Sequence, residues 1–338
     1  MSEQTLPTTA RAWYLDSRPE GRPTPSDLSL REVELPAPGP GQLLVANEYL
    51  SVDPYMRGRM SDKKSYIEPY DVNAPLDGPA VGRVLASNAE GFAPGDHVVH
   101  FLGWRDHAVV DAAGAQKVDP DLAPLSAYLG VLGVTGLTAY IGLERFAKIQ
   151  EGDTVFVSGA AGAVGSVAGQ IAKLKGAGRV IGSAGSDDKV KSLIEEYGFD
   201  AAFNYKKGPV AEQLAQAAPD GIDVFFDNVG GEHLEAAIGA LRLHARIVLC
   251  GMVSQYNGEK VVGPRNLWNL SVTRSDILSF MVSEELDLQP DFVREVGGWL
   301  AEGKLTYRET VREGLDNTLE AFLSMMRGEN TGKMIVKL

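Results

Sequence analysis

Three glycines, Gly159, Gly162 and Gly165, recur at spacings of three, and residues of this type at this spacing can bind phosphate. Glycine has no Cβ, so its backbone can turn sharply and approach a pyrophosphate closely. The β-branched and aromatic run Thr154 to Ser158 predicts a buried strand, and Val164 to Lys175 predicts a helix whose free amides would face the phosphates. Because the glycines lie between a strand and a helix, the stretch predicts a dinucleotide site rather than a structural turn.

The residues that follow the next predicted strand, Arg179 to Ser183, distinguish NADPH from NADH. An NAD site usually carries Asp or Glu about 20 residues after the glycines, where it binds the ribose 2′-hydroxyl. This chain has Gly182 to Ser186 at that place, so no carboxylate would repel a 2′-phosphate. Lys189 can supply a positive charge, although a solvated helix lysine is the alternative. Asp187 and Asp188 suit the start of the next helix, where the macrodipole favours them. The sequence favours NADPH.

Composition limits the classes of function. The 338 residues suffice for two domains and a large core, and the net charge of −13 argues against a nucleic-acid or membrane-surface partner. Cys250 is the only cysteine, which excludes an intrachain disulfide and a Cys-based zinc cluster and fits a reducing cytoplasm. Met1 to Ala10 shows no signal-peptide pattern. Leu122 to Leu143 is uncharged but contains four glycines, so we expect a packed helix pair rather than a membrane span.

The order of predicted elements indicates two kinds of structure along the chain. Residues 11 to 120 carry short apolar runs separated by Pro and Gly turns, which predicts a β-rich region. From Thr154 onward strands and helices alternate, which predicts an α/β fold with a parallel, doubly wound sheet. The predicted strands of the first region are Leu43 to Ala46, Ala80 to Ala86, His97 to Phe101 and His107 to Val110. The later ones are Ala201 to Tyr205, Ile222 to Phe226, Arg246 to Gly251, Val272 to Val282 and Met334 to Leu338.

Several short motifs, in order along the chain, connect it to a family. They are Leu50 to Gly58, Gly162 to Ser166, Gly185 to Lys189, Phe203 to Lys206, Phe226 to Gly231, Cys250 to Asn257, and Gly332-Lys333. With them the chain resembles, nearly end to end, the zinc-free medium-chain dehydrogenases/reductases of the leukotriene B4 12-hydroxydehydrogenase, prostaglandin reductase and alkenal double-bond reductase branch. The resemblance implies a GroES-like β-barrel domain over residues 1–128, completed by about 305–338, and a Rossmann NADPH-binding domain over residues 129–304.

The resemblance also implies the cofactor contacts. They are Gly162, Ala163, Val164, Gly165, Ser186, Lys189, Tyr205, Asn228, Cys250, Gly251, Met252, Tyr256, Phe280, Met281, Val282 and Asn330. Lys189 and Tyr205 would hold the 2′-phosphate. At Met252-Val253 and at Asn330-Thr331 the chain varies from the forms associated with the family.

The implied reaction is the NADPH-dependent reduction of a carbon–carbon double bond conjugated to a ketone or aldehyde. Hydride would go to the β-carbon, because only there does conjugation carry the charge to the carbonyl oxygen. Tyr256, near the end of a predicted strand, would donate a hydrogen bond to the enolate oxygen, unless it packs on the cofactor and a ribose hydroxyl or water delivers the proton. Tyr55 would pack on the substrate or, equally, fill the barrel core. The alternatives are a quinone reductase of the same superfamily and a non-catalytic NADPH-binding or redox-sensing protein.

Other candidate chemistry is weaker. His97, His100 and His107 are close in sequence and could suggest a metal, but His97 and His100, three apart on a predicted strand, would point to opposite faces and would not converge. Zinc-dependent relatives carry Gly-His-Glu where this chain has Asp77 to Ala80, so we expect no metal site.

The remaining polar candidates are expected to be structural. Ser158 and Ser166 lack the partners of a hydrolase triad, and Asp53 is expected to be a turn acid. His233 and His244 are expected on helix or loop surfaces. Relatives of this family pair through the edge of the Rossmann sheet, so Val272 to Val282 predicts a homodimer, with a small-molecule substrate as the other partner.

Overall fold

The computed structural model describes residues 5–257 and 263–338. The expectation about a signal peptide concerns Met1 to Ala10, and residues 1–4 of that stretch lie outside the described residues. The chain divides into two compact units. The first unit comprises residues 1–129, 309–330 and 334–338, and the second comprises residues 130–308 and 331–333. Within the described ranges, no helix has the length and apolar character that crossing a membrane requires.

Strands and helices are numbered in chain order. The strands are β1 Thr9–Leu15, β2 Leu28–Glu34, β3 Gln42–Ser51, β4 Ala80–Ser87, β5 His97–His100, β6 His107–Asp111, β7 Gln116–Val118, β8 Thr154–Val157, β9 Arg179–Ala184, β10 Ala201–Asn204, β11 Ile222–Asp227, β12 Leu241–Leu249, β13 Asp276–Ser279, β14 Glu309–Glu313 and β15 Lys333–Lys337. The helices are α1 Tyr55–Arg59, α2 Val134–Ile141, α3 Ala163–Leu174, α4 Asp187–Glu195, α5 Val210–Ala217, α6 Gly231–Gly239, α7 Trp268–Thr273, α8 Gln289–Ala301 and α9 Thr318–Met326.

The first unit is built on a seven-stranded sheet. Its strand order is β14-β15-β3-β4-β5-β7, with β6 also paired to β3, and β1 and β2 form a separate antiparallel pair. The long strand β3 pairs antiparallel with β4, β6 and β15. The core under these strands contains Trp104 and Phe322, whose rings meet edge to face at 5.8 Å. Met56 of α1 is buried in the same core, which fixes the helix that begins at Tyr55.

The second unit contains a six-stranded parallel sheet of order β10-β9-β8-β11-β12-β13. From β8 the chain adds β9 and β10 on one side and then β11, β12 and β13 on the other, so the direction of winding reverses between β8 and β11. Ligands of doubly wound sheets bind outside the carboxyl ends of the strands at such a switch point. The ring of Phe156 stacks at 5.0 Å on Phe225 and at 5.8 Å on Phe203, which packs neighbouring strands together.

Two predicted elements differ from the structure. The strand predicted over Val272 to Val282 is wrong in extent, because residues 268–273 form α7 and only Asp276–Ser279 form β13. Arg274 caps α7 with a left-handed φ of 52°, which turns the chain before the strand begins. The helix pair predicted over Leu122 to Leu143 is instead a 3-10 turn over Leu125–Leu129 followed by α2. Short apolar runs do not by themselves distinguish helix from strand.

Candidate active site

The glycine loop between β8 and α3 is packed so closely that side chains are excluded. Gly159 has a φ of 58°, in the left-handed region that favours glycine. A Cβ on Gly165 would lie 2.5 Å from the carbonyl oxygen of Gly159 and 2.8 Å from Cα of Ala160. Gly162 is the N-terminal cap residue of α3, and no side chain bonds the amides there. These observations fit a phosphate group bound at the start of the helix.

A segment near the end of the chain, at Gly332, is hydrogen-bonded to the glycine loop. The N–H of Gly332 donates to the carbonyl oxygen of Ala161 at 2.8 Å, and Gly162 and Gly332 form a parallel β-bridge. Gly332 has a φ of 67°, and a Cβ there would lie 1.9 Å from the carbonyl oxygen of Arg308. The predicted cofactor residue Asn330 comes two residues earlier in the chain.

The turn after β11 is organised by the carboxylate of Asp227, which is fully buried. Its Oδ1 accepts from the hydroxyl of Ser158 at 2.7 Å and from the N–H groups of Val229 and Gly230 at 3.0 and 2.9 Å. Asn228, a predicted cofactor residue, donates its side-chain amide to the carbonyl oxygen of Ser158 at 2.8 Å. Ser158 therefore ties the ends of β8 and β11 together.

The turn at Asp227 is also hydrogen-bonded to the loop that follows β12. The main-chain carbonyl of Asp227 accepts from the N–H groups of Cys250 and Gly251, both at 2.9 Å. The carbonyl of Val229 accepts from the N–H and the hydroxyl of Ser254 at 3.2 and 2.6 Å. Burial raises the pKa of the Cys250 thiol to about 12, so this residue is not a reactive thiolate at neutral pH.

Tyr256 lies on this loop and is half-buried. Its hydroxyl oxygen accepts from the N–H of Met252 at 3.5 Å and lies close to Gly251, at 3.4 Å from where a Cβ would be. Accepting this bond leaves the hydroxyl proton available for donation. Burial raises the pKa of Tyr256, so the hydroxyl stays protonated at neutral pH.

The predicted contacts beyond β13 lie on a turn. Phe280 follows the strand directly, and its ring stacks on Phe146 at 5.0 Å. Met281 is extended, and Val282 begins a 3-10 turn. Since β12 and β13 are parallel neighbours, these residues follow the same edge of the sheet as Cys250.

The predicted 2′-phosphate residues come together where β9 ends. Ser186 is the N-cap of α4, and its hydroxyl accepts from the N–H of Lys189 at 3.4 Å. A Cβ on Gly185 would lie 3.1 Å from the hydroxyl of Tyr205, so the glycine makes room for this tyrosine. Tyr205 follows β10, which pairs with β9 in parallel register. Adjacent strand ends thus bring Lys189 and Tyr205 to one place.

The charges at this place favour an anion. Asp187 accepts from the ammonium of Lys207 at 2.6 Å and from Asn204 at 3.0 Å, and the bond from Lys207 helps to lower its pKa. Burial, together with the charge of Lys206, lowers the pKa of Lys189. Lys206 was not among the predicted site residues, although it directly follows Tyr205 in one of the motifs that carry the resemblance.

In the first unit, Tyr55 begins α1 and packs against the barrel core. Its hydroxyl oxygen is buried, and among the described residues it has no hydrogen-bond partner. Burial raises the pKa of Tyr55 far above its ordinary value, so the hydroxyl is neutral. Asp53 accepts a short hydrogen bond from the hydroxyl of Ser51, which is consistent with a turn acid.

The histidines show no metal site. His100 is buried, with its Nδ1 accepting from the N–H of Leu102 at 3.0 Å and its Nε2 at 2.8 Å from Oδ1 of Asn47. Burial lowers the pKa of His100 to about 3, so the ring is neutral. Nε2 of His97 lies 3.5 Å from Oε1 of Glu48. Across residues 5–257 and 263–338, no group of three or more His, Cys, Asp or Glu side chains is placed to hold a metal ion.

The expected surface position of His233 is wrong. Its side chain is only 4% exposed, on α6, and its ring meets that of Tyr205 edge-on at 5.2 Å. Burial lowers the pKa of His233 to about 4. His244 is exposed as expected, but it lies on β12 with a left-handed φ of 61° rather than on a helix or loop.

Comparison with known proteins agrees with this arrangement. A sequence-family model described as the N-terminal domain of oxidoreductase matches residues 11–118, and one described as zinc-binding dehydrogenase matches residues 163–294. The YfmJ protein of Bacillus subtilis is 46% identical over 328 residues, which cover 96% of this chain and 96% of YfmJ. The chain belongs to the medium-chain dehydrogenase/reductase family. In the part of the chain that the structure describes, no cluster of His, Cys, Asp or Glu side chains fits the zinc ion that the second description names.

Two further relatives have more specific names. The NADP(+)-dependent 2-alkenal reductase of Nicotiana tabacum is 40% identical over 322 residues, which cover 94% of each chain. CurA of Vibrio vulnificus, solved in complex with NADPH, is 40% identical with a TM-score of 0.92, over 97% of this chain and 98% of CurA. The predicted fold class, a GroES-like barrel domain with a Rossmann domain, is confirmed.

Proposed function

We propose that this protein is an NADPH-dependent reductase of carbon–carbon double bonds conjugated to a ketone or aldehyde. The observation that carries the proposal is the Tyr256 hydroxyl, which keeps its proton on a loop at the carboxyl edge of the parallel sheet. A relative with 40% identity that is named a 2-alkenal reductase supports the same class of substrate.

The second unit fits the proposed cofactor. Gly162 to Gly165 would hold the pyrophosphate at the start of α3, because a Cβ on Gly165 has no room. Ser186, Lys189 and Tyr205 would hold the 2′-phosphate. The nicotinamide end would be held by the remaining predicted residues, which are Asn228, Cys250, Gly251, Met252, Tyr256, Phe280, Met281, Val282 and Asn330. When bound, NADPH supplies the hydride.

Tyr256 would stabilise the charge that develops on the substrate carbonyl oxygen. A donor aimed at a developing oxyanion strengthens its bond in the transition state and so lowers the barrier. The loop is fixed for this task because its backbone is bonded to the turn at Asp227. Tyr256 either delivers the α-proton itself or orients the enolate while water or a ribose hydroxyl delivers it.

Tyr55 is proposed as a second group that contacts the substrate. A buried hydroxyl without a partner costs about 1–3 kcal/mol, so an acceptor atom supplied by a bound substrate would stabilise Tyr55. Tyr55 has such a hydroxyl among the described residues. A flat conjugated substrate could pack on its ring and accept its hydrogen bond.

We also propose the wider organisation. Residues 1–128 with about 305–338 would form the catalytic domain, and residues 129–304 the NADPH-binding domain. The single cysteine favours a reducing, cytoplasmic location. A homodimer is supported by the exposed apolar side chains of Trp268 and Val272 on α7, of Leu267 directly before α7, and of Ile277 on the edge strand β13.

An acceptor panel tests the proposal. NADPH oxidation is measured with an enone, an enal, a quinone and no acceptor, and the products are identified by mass spectrometry. We expect consumption of NADPH with the enone or enal and a product two hydrogens heavier at the double bond. Turnover with the quinone alone would favour the quinone reductase, and binding of NADPH without turnover of any acceptor would favour a non-catalytic protein.

A further inference from the structure

Two lysines approach the end of β9, and the second of them, Lys206, has no role in the proposed function. We propose that Lys206 is a second cation that binds the 2′-phosphate together with Lys189. This inference rests on the proposed function, because it concerns the same NADPH site. It assigns the preference for NADPH to a pair of lysines instead of one.

The backbone brings Lys206 to the phosphate end of the site. β10 and β9 pair in parallel with Asn204 opposite Ala184, so the residues that follow each strand are neighbours. The side chain of Asn204 then caps the next turn by accepting from the N–H of Lys206 at 3.1 Å. Lys206 is held directly after Tyr205 by this bond.

Gly185 gives both side chains access to the same space. A Cβ at this position would lie 3.1 Å from the hydroxyl of Tyr205 and 3.4 Å from Cε of Lys206. The two side chains therefore extend over the backbone immediately before α4. The nine-residue helix α4 begins there with its cap at Ser186, and its positive N-terminal end adds to the attraction for an anion.

Lys206 differs from its neighbour Lys207 in its ion pairing. Lys207 binds Asp187 at 2.6 Å, which neutralises that carboxylate. Lys206 forms no ion pair with a carboxylate of the described residues, and its ammonium lies 5.9 Å from the centroid of the Tyr205 ring. It is close enough to Lys189 to act on that residue as a like charge. Two lysines placed together are repelled until an anion binds both, and a phosphate monoester carries about two negative charges at neutral pH.

Binding of nucleotides tests this inference without relying on turnover. Calorimetry measures the dissociation constants of NADP⁺ and adenosine 2′,5′-bisphosphate, with NAD⁺ and AMP as ligands that lack the 2′-phosphate. The variants are Lys206→Gln, Lys206→Arg and Lys189→Ala. Lys191→Gln is the matched control, because this lysine of α4 is 69% exposed and pairs with Glu195 on the helix surface.

We expect Lys206→Gln to weaken both 2′-phosphorylated ligands by roughly tenfold, as the loss of one charge-assisted bond predicts, and to leave NAD⁺ and AMP unchanged. Lys206→Arg should restore most of the affinity, and Lys191→Gln should bind like the wild type. If Lys189→Ala weakens NADP⁺ but Lys206→Gln does not, the inference is wrong and the proposed cofactor site stands. If neither variant changes the preference, the 2′-phosphate assignment of the proposed function fails as well.

Discussion

Among single residues, Tyr256 carries the most chemistry in the proposed reaction. Tyr256→Phe keeps the ring and removes the hydroxyl, so it should lower kcat for an enone by roughly tenfold to a thousandfold with little change in NADPH affinity. Because burial raises the pKa of Tyr256 above its ordinary value, the wild-type hydroxyl should keep its proton, and kcat should not fall from its ionisation between about pH 7 and 9. Steady-state kinetics against pH and fluorescence titration of NADPH provide the measurements.

A matched control is Tyr197→Phe. Tyr197 is also buried, its hydroxyl has no partner among the described residues, and burial raises its pKa to about 12, but it is not a predicted site residue. This variant should retain the wild-type kcat. If Tyr256→Phe reduces enones at the wild-type rate, the tyrosine packs on the cofactor and another group must donate to the oxyanion.

At this scale, the sequence predicts residue types at a motif better than it predicts their surroundings. The family resemblance implies that Lys189 and Tyr205 lie together, and the structure brings their strand ends together. The burial of His233 against Tyr205 could not be foreseen, because it depends on how α6 packs on the sheet. Lys206 could have been suspected from its position after Tyr205, but only Gly185 shows that both side chains share one space.

At the scale of elements, the glycine loop depends on the absence of a Cβ. Gly165→Ala should weaken NADPH at least tenfold and lower the free energy of unfolding by about 1–3 kcal/mol, because the new methyl group would meet backbone atoms of Gly159 and Ala160 that cannot move freely. NADPH titration and urea denaturation measure the two effects.

The control for this change is Gly297→Ala on α8, where a Cβ meets nothing within 4 Å. Since alanine favours helix, this variant should be as stable as the wild type or slightly more stable and should bind NADPH normally. Normal binding by Gly165→Ala would show that the loop does not approach the pyrophosphate closely.

The elements that alternate regularly were the predictable ones. β8, α3 and β9 begin within one residue of their predicted starts, because buried strands and an amphipathic helix leave strong patterns. The stretch Val272 to Val282 was not predictable in this way, because its apolar residues belong first to the end of a short helix and then to a short strand. The turn between them depends on the left-handed conformation of Arg274, which no residue type there demands.

For the whole molecule, the net charge of −13 makes a local positive site necessary for an anionic cofactor. The ion pair of Asp187 with Lys207 contributes to such a positive site, because it neutralises an acidic residue beside the proposed phosphate site. Overall charge therefore limits only the class of partner that we expect, and the position of the site required the fold. The identity of the substrate was not predictable, because it depends on side chains from separate parts of the chain.

The assembly is also a property of the whole molecule. Trp268 is 76% exposed and Val272 is 60% exposed on α7, beside the edge strand that contains Ile277. Large apolar side chains grouped at a sheet edge are typical of a surface that pairs with a second copy. Trp268→Asp should therefore convert a dimer to a monomer, as measured by sedimentation velocity, because a charge would be buried in the proposed pairing surface. Ile277→Pro should act in the same direction by removing an amide donor from β13.

Leu122→Asp provides the comparison, since this side chain is 80% exposed in the first unit and the substitution adds the same charge. It should leave the dimer intact. Trp268 is exposed, so its replacement should not unfold the unit, and an unchanged thermal midpoint would separate loss of pairing from loss of folding. A wild-type protein that sediments as a monomer, or a dimer that survives both Trp268→Asp and Ile277→Pro, would show that this edge does not pair.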